Sequence, residues 1–427
     1  MLAWALRLAF LGLEPATHLV GDERAWRHES LVLAADPPAS LDPLRNSLIF
    51  YPPLFPYAFA ALHLLGGLGA VKVAQTLAGA LLAPAVALFG WRALGPRVGL
   101  VAGLVAATYP EHVWYSAHLW AEPLFMAFLW WGLERLLAAD TAERGHPAVA
   151  AGVAFGLAAL TRESSLYLAP LGAAWLAWRR PARFRPAVLF LAATLLTVAP
   201  WTVRNAVRFG AFVPVSLMGA RVAWMGNTSL DHEQFFAAYD EEKDPVAAAR
   251  RATREALRNV LERQPGWIFE KLAAEMPEFW ALDNLAIIHV KRGAYGPVTP
   301  AAAWTVALVT LVPYLLVLAG FVVGLFRLPR TRPVALLVLV VAFFALLHTA
   351  TMGFSRYRLP VMPALFVVAA FALLARREGA PPLRGVRAVA ALVLAVAFLA
   401  CLAVDLPGQL HEPAFGLARP ADAGDPP

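Results

Sequence analysis

The stretch WTVALVTLVPYLLVLAGFVVGLF, residues 304–326, contains no charged side chain. A hydrocarbon layer about 30 Å thick is crossed by roughly 20 apolar residues in a helix, so this stretch is long enough to span. Similar runs recur along the chain. In lipid every backbone polar group must be satisfied internally, which leaves helices or a closed barrel; continuous apolar runs rather than strict alternation select helices. Composition agrees: 60% of residues are hydrophobic, 15% are charged, and mean hydropathy is +0.60. The chain reads as an all-α integral membrane protein. Eleven spans are expected, near 2–19, 70–90, 98–112, 120–137, 148–161, 165–178, 186–202, 301–326, 334–350, 360–375 and 388–404.

The formal charge of +7 is carried by arginine far more than by the four lysines, and its placement points to topology rather than to nucleic acid. Arg92 and Arg97, Arg135 and Arg144, RRPARFR at 179–185, RLPRTR at 327–332 and RREGAPPLRGVR at 376–387 all fall on one side of the expected spans. The positive-inside rule makes that side cytoplasmic. The stretch 51–67, with prolines at 52, 53 and 56, is short for a span and suits a helix lying in the interface. Counting it as a span would put RRPARFR outside.

Four sections follow: a transmembrane module over 1–216 with a first outer loop at 20–69, a helical extracytoplasmic segment over 217–300, transmembrane helices over 301–404, and a Pro/Ala/Gly-rich, disordered tail over 405–427. In the outer segment Asp244 before Pro245 reads as a helix N-cap. The sequon NTS at 227–229 reads as a chance match, because Arg, Ala, Gly and Pro usage fits a GC-rich bacterial source. The one cysteine, Cys401, lies in the last apolar run and excludes an intrachain disulfide.

Charge on the outer side runs against the bias and needs a reason. Asp22 and Glu23 follow the first span; Glu122, beside Pro123, opens the fourth; Arg162, Arg204, Arg356 and Arg358 lie in outer turns or at an outer span end. Each has a bland reading: a solvated carboxylate pair, an acid favoured by a helix N-terminus, or a snorkelling anchor. Glu111 and His112 read as interfacial.

Six stretches carry a resemblance. GDERAW, YPPLFPY, YPEHVWYSAHLWAEPLF, GLAALTRESSLYLAP, PWTVRNAVRFGAFVPVS and SRYRLPVMPALFVVAA occur in the order seen in C-type glycosyltransferases. The chain resembles the branch that holds protein O-mannosyltransferases and the aminoarabinose transferase of lipid A. The resemblance implies an enzyme in the cytoplasmic membrane that moves a sugar from a polyprenyl-phosphate-linked donor to a lipid, glycan or protein hydroxyl on the outer face. Asp22 is then the base, Glu23 an orienting acid or a partner of a local arginine, and Glu122 a second acid of the site. Arg356, Arg358, Arg162 and Arg204 would receive the donor phosphate, and Tyr51, Pro53 and Tyr357 would shape the lipid and substrate approach. Some members use a divalent metal and others none; here Asp22, His118 and Glu122 are the candidate ligands. The competing reading is a flippase or transporter of lipid-linked sugars, which calls for ionisable groups near mid-span. Apart from Arg7, Glu14 and Glu134 the expected spans hold almost none.

Overall fold

The computed structural model describes residues 1–13, 19, 22–35, 50–178, 181–375 and 377–410. Among these residues the secondary structure is helical, with no strand. In chain order the helices are α1 (Leu2–Leu13), α2 (Asp22–Ala35), α3 (Leu54–Ala80), α4 (Leu82–Leu94), α5 (Pro96–Thr108), α6 (Pro110–Ala117) and α7 (Glu122–Ala139). There follow α8 (His146–Thr161), α9 (Ser164–Ala177), α10 (Phe184–Phe209), α11 (Met218–Met225), α12 (His232–Asp240) and α13 (Pro245–Glu262). The chain continues through α14 (Gly266–Trp280), α15 (Leu285–Lys291), α16 (Pro300–Leu325), α17 (Arg332–Ala350), α18 (Met362–Leu374) and α19 (Val386–Leu410).

Proline sets many of the boundaries. It occupies the first turn of α5, α6, α7, α8, α13, α16, α17 and α18, where its missing N–H costs no hydrogen bond. The expected span over 98–112 therefore stops at Thr108: Tyr109, before Pro110, is driven to extended backbone, and α6 starts in a new direction. The 51–67 stretch forms the first part of α3, and Gly67, at φ 65°, breaks it from the part that begins the next expected span. Among the described residues five helical stretches are long and apolar enough to cross a membrane: Leu54–Leu94, Phe184–Phe209, Pro300–Leu325, Arg332–Ala350 and Val386–Val404. α1, α5, α8 and α18 are apolar but shorter. The tail expected over 405–427 begins inside α19, and residues 411–427, like Glu14, Arg179, Arg180 and Arg376, lie outside the described residues.

α4, α5, α7, α8 and α10 pack side by side; α18 closes against α5, and α16 packs on α18. Without a hydrophobic drive between helices in lipid, small residues that let backbones approach do the work. Gly99 of α5 is one: a Cβ there would run into the backbone of Ala87 and Trp91 on α4. The one basic residue inside α1, Arg7, is fully buried and saturated. Its Nε donates to Ser116 Oγ (3.1 Å), and Nη1 donates to the carbonyls of Ala3 and Ala107 (2.9 Å each), at the carbonyl-rich end of α5.

Residues 218–291 hold the helices α11 to α15. Asp244 caps α13, accepting from the N–H groups of Val246 (2.8 Å) and Ala247 (3.3 Å). Asn227 of the sequon is buried: its Nδ2 donates to the carbonyls of Ala223 and Ala350, and its Oδ1 accepts from Trp267 Nε1 (2.7 Å). Lys271 adds bonds to the carbonyls of Gly226 and Thr351 and an ion pair with Glu275, which in turn accepts from the Gly353 N–H (2.6 Å). These bonds clamp α11 and α14 onto the 351–353 turn. The turn leads directly into Ser355–Arg358, a 3-10 turn between α17 and α18.

Candidate active site

Side-chain pairs sort to opposite ends of the bundle. At one end Arg92 meets Glu134 (2.7 Å), Arg332 meets Asp140 (3.0 Å), and Arg327 donates to the Pro381 carbonyl (3.0 Å); these residues belong to the basic connections. At the other end four distant segments converge. Arg356 Nη1 donates to Asp22 Oδ2 at 2.6 Å, joining the 355–358 turn to the start of α2. Arg162, in the α8–α9 turn, pairs with Glu122 at the start of α7. Tyr357 links the two pairs, its ring centre lying 5.1 Å from the Arg356 guanidinium and 5.3 Å from that of Arg162. His348 stacks on the same ring at 4.3 Å and 11°. Trp120 and Phe354 also lie against Arg356, at 5.3 and 5.7 Å.

The members of the acidic pair are treated differently. The Asp22 side chain is 45% exposed, whereas Glu23 is buried at 1%. Glu23 faces inward, to a backbone N–H and an imidazole. Its Oε1 accepts from the Leu119 N–H (3.0 Å) and its Oε2 meets His289 Nε2 (2.9 Å). The reason is placement: Glu23 points inward, one helical step round from Asp22, and inside the fold the available donors belong to the 118–121 turn and to α15. Burial works to raise the Glu23 carboxyl, but His289, His118 and the Leu119 N–H outweigh it and hold it below the ordinary carboxylate range. His118 stacks on Trp114 at 3.9 Å and is held down to about 4 by burial, so it is neutral at pH 7. Gln75 Nε2 donates to the His118 carbonyl (3.1 Å) and steadies the turn.

The remaining expected residues fall in different places. Arg358 is 1% exposed, donates to the Ala281 carbonyl and lies 4.1 Å over the Tyr314 ring, turned into the bundle rather than beside Arg356. Arg204 packs along its own helix, 4.5 Å over Trp201 and 5.4 Å over Phe209. Tyr51 packs 4.8 Å from Trp26, and burial together with the Asp22 charge pushes its hydroxyl up. Pro53 is buried at the N-cap of α3. Glu111 and His112 are buried within the protein, at 2% and 1% exposed, with the His112 ring set against Tyr109 and Phe366.

Asp22, His118 and Glu122 do not converge as metal ligands. Each carboxylate faces an arginine, His118 Nδ1 is hydrogen-bonded to the Trp114 carbonyl (2.9 Å), and no group of three His, Cys, Asp or Glu among the described residues is arranged to hold a metal ion. Three residues at this end are not among the expected site residues: His289, His348 and Glu163. Glu163 lies within GLAALTRESSLYLAP, where an acid beside an arginine at a span end is the available signal. His289, at the end of a short helix in a segment without a motif, offered little.

No family model matches the chain, and no curated protein matches it. Solved structures do. ArnT from Cupriavidus metallidurans bound to undecaprenyl phosphate is 17% identical, covering 87% of this chain and 59% of that chain, with a TM-score of 0.55. The Archaeoglobus fulgidus oligosaccharyltransferase in the apo form is 15% identical, covering 98% and 56%, with a TM-score of 0.52. The same enzyme tethered with an acceptor peptide containing the NVT sequon is 14% identical, covering 98% and 55%, at 0.51. The chain thus spans less than three fifths of the length of these structures. At such identities the likeness is one of architecture, and it agrees with the helical membrane bundle derived above: the chain has the C-type glycosyltransferase fold.

Proposed function

We propose that this chain is a membrane glycosyltransferase that moves a sugar from a polyprenyl-phosphate-linked donor to an acceptor hydroxyl at the outer face of the cytoplasmic membrane. The observation that carries the reading is the convergence of Asp22–Arg356 and Glu122–Arg162 on Tyr357, across as many as 334 residues of chain. Residues 1–216 contribute Asp22, Glu122 and Arg162; residues 301–404 contribute Arg356 and Tyr357. The gathering of Arg92, Arg327 and Arg332 at the opposite end supports assigning that end to the cytoplasm. The undecaprenyl phosphate of the ArnT structure and the acceptor peptide of the oligosaccharyltransferase supply the substrate classes by likeness.

The chemistry follows from the charges. An acceptor oxygen attacks the anomeric carbon and gives its proton to Asp22, whose exposed carboxylate is reachable from outside. The bond from that carbon to the phosphate oxygen breaks, and the phosphate leaves with the electron pair. Its rising charge falls to Arg356, which fixes Asp22 through Nη1 and has a buried Nε–H without an acceptor. The Glu122–Arg162 pair lies across Tyr357 and orients the acceptor side. Glu23 positions Asp22 by tying α2 to the 118–121 turn and to α15, and Arg358 braces the 355–358 turn. Asp22, Glu23 and Glu122 also leave the site negative, which suits an oxocarbenium-like transition state.

Mass spectrometry of envelope glycans, glycolipids and glycoproteins with and without the gene should reveal one sugar modification that disappears with it. A reporter active only outside the cytoplasm should score positive after residue 240 and negative after residue 182. The reverse pattern would remove the outer-face assignment.

A further inference from the structure

A cavity of about 380 Å³ lies between the α8–α9 turn, the 211–217 connection, α11 and α13. Its wall is largely apolar, formed in part by Phe212, Val213, Leu217 and Val246, with Glu163 and Arg250 as its charged members. That volume is in the range of sites for small organic groups. Glu163 is held in place: its Oε2 accepts from Ser216 Oγ at 3.0 Å, and a side chain at Gly219 would collide with its Oε1. Among the described residues no arginine or lysine pairs with it, since its neighbour Arg162 is engaged by Glu122. A carboxylate in such surroundings is stabilised by a cation that also donates hydrogen bonds.

We propose that this cavity binds the head group of an amine-bearing phospholipid, its ammonium on Glu163, its phosphate on Arg250 and its glycerol end against the apolar wall. Charge complementarity argues for a zwitterion: the walls carry one acid and one base, and an anionic head group would leave Glu163 unmatched. Location argues for a lipid, because the lining residues Ala211, Phe212 and Val213 directly follow α10, which is long and apolar enough to cross a membrane. Arg162 and Glu163 are consecutive, so an occupied cavity lies one residue from the pair that holds Glu122. The inference stands on this cavity and does not require the transfer reaction.

Ionisation of Glu163 gives the site a pH dependence. Burial pushes its carboxyl up to about 7, against the opposing pull of Ser216, of the Gly219 and Ser216 N–H groups, and of Arg162. The groups facing it are Arg162 on its own turn, Tyr167 on α9, Ser216 and Gly219 from the connection and α11, and Arg250 from α13. Ammonium binding requires the charged carboxylate, so it weakens as pH falls below about 7.

The test uses the purified chain in nanodiscs of phosphatidylglycerol doped with equal amounts of phosphatidylethanolamine and phosphatidylcholine, with retained lipids counted by native mass spectrometry. The expected result at pH 8 is selective retention of one phosphatidylethanolamine, about tenfold over either other lipid, as one charge-assisted hydrogen bond warrants. The preference should shrink at pH 5.5 and vanish in Glu163→Gln. Arg250→Glu, an exposed change that leaves packing intact, should lower retention of phosphatidylethanolamine at pH 8. Equal retention of the three lipids, or a preference unchanged in both variants, would overturn the assignment.

Discussion

At the basic end of the bundle Arg332 is fully spent: its Nε and Nη2 reach Asp140 at 3.0–3.2 Å, and Nη1 and Nη2 also donate to the carbonyls of Trp178, Trp175 and Leu176. At the other end Arg356 gives one nitrogen to Asp22 and a long bond to the Tyr357 hydroxyl (3.4 Å), and otherwise faces aromatic rings. Asp140 is 7% exposed and Asp22 45%. The same two residue types thus build two different things. A saturated pair has nothing left to offer a substrate and serves the fold; a half-used pair, one member open to the outside, retains capacity to bind and to accept a proton. Counting ion pairs would not separate them, but counting their unused donors does.

The largest effect should come from Asp22→Asn, which keeps the shape and removes the basicity. Transfer should drop about 10²–10⁴-fold, the usual range for losing a general base, while Asp140→Asn should leave turnover per folded molecule unchanged. Next, Arg356→Ala should weaken use of the polyprenyl-phosphate donor by about 10–100-fold, the worth of charge-assisted bonds to a phosphate. Arg183→Ala, at the basic end, should have little effect on the same assay. If Arg356 and Arg183 give equal, small effects, the unused donors of Arg356 have no catalytic meaning.

Stability should show the reverse pattern. Arg332→Ala strips the arginine from a buried carboxylate and should cost about 3 kcal/mol, visible as a lowered unfolding temperature. Glu23→Ala leaves the Leu119 N–H and His289 without their acceptor and should cost about 1–3 kcal/mol. The smallest effect is a slope. Glu163 ionises near 7 in the folded chain and near the ordinary 4.5 when unfolded, so the folded chain holds more protons between those values. Stability should therefore fall as pH rises from about 4.5 to about 7. Glu163→Gln should flatten that part of the curve, read as unfolding temperatures at pH 5 and pH 8 for both proteins.

What could be read from sequence followed from local physics. Apolar runs, the Asp244 cap before Pro245 and the spacing of arginines need only neighbouring residues; the runs and the cap are visible in the helices. Asp22, Glu122, Arg162 and Arg356 stood out because charge is costly near lipid and they occupy the side that arginine otherwise avoids. Their pairing did not: Asp22 meets Arg356 across 334 residues, and nothing local ties them. Nor did the inward turn of Glu23, because His289 comes from the segment with no motif. The burial of Glu111 and His112 is likewise not legible from their neighbours. A YPEH stretch at the end of an apolar run does not reveal that His112 packs against the distant Phe366. Arg356 and Arg358 are equivalent as letters, two residues apart, yet a 3-10 turn sends one to the site and the other into the core.

The central claim is that Asp22 does chemistry while its counterpart at the basic end only holds the fold. It is tested most directly by following donor binding and sugar transfer on one preparation of Asp22→Asn, reconstituted in lipid with a polyprenyl-phosphate-linked sugar. The account predicts donor bound as in the wild type, normal thermal stability, and transfer reduced by at least about 100-fold. Wild-type turnover in that preparation would contradict it.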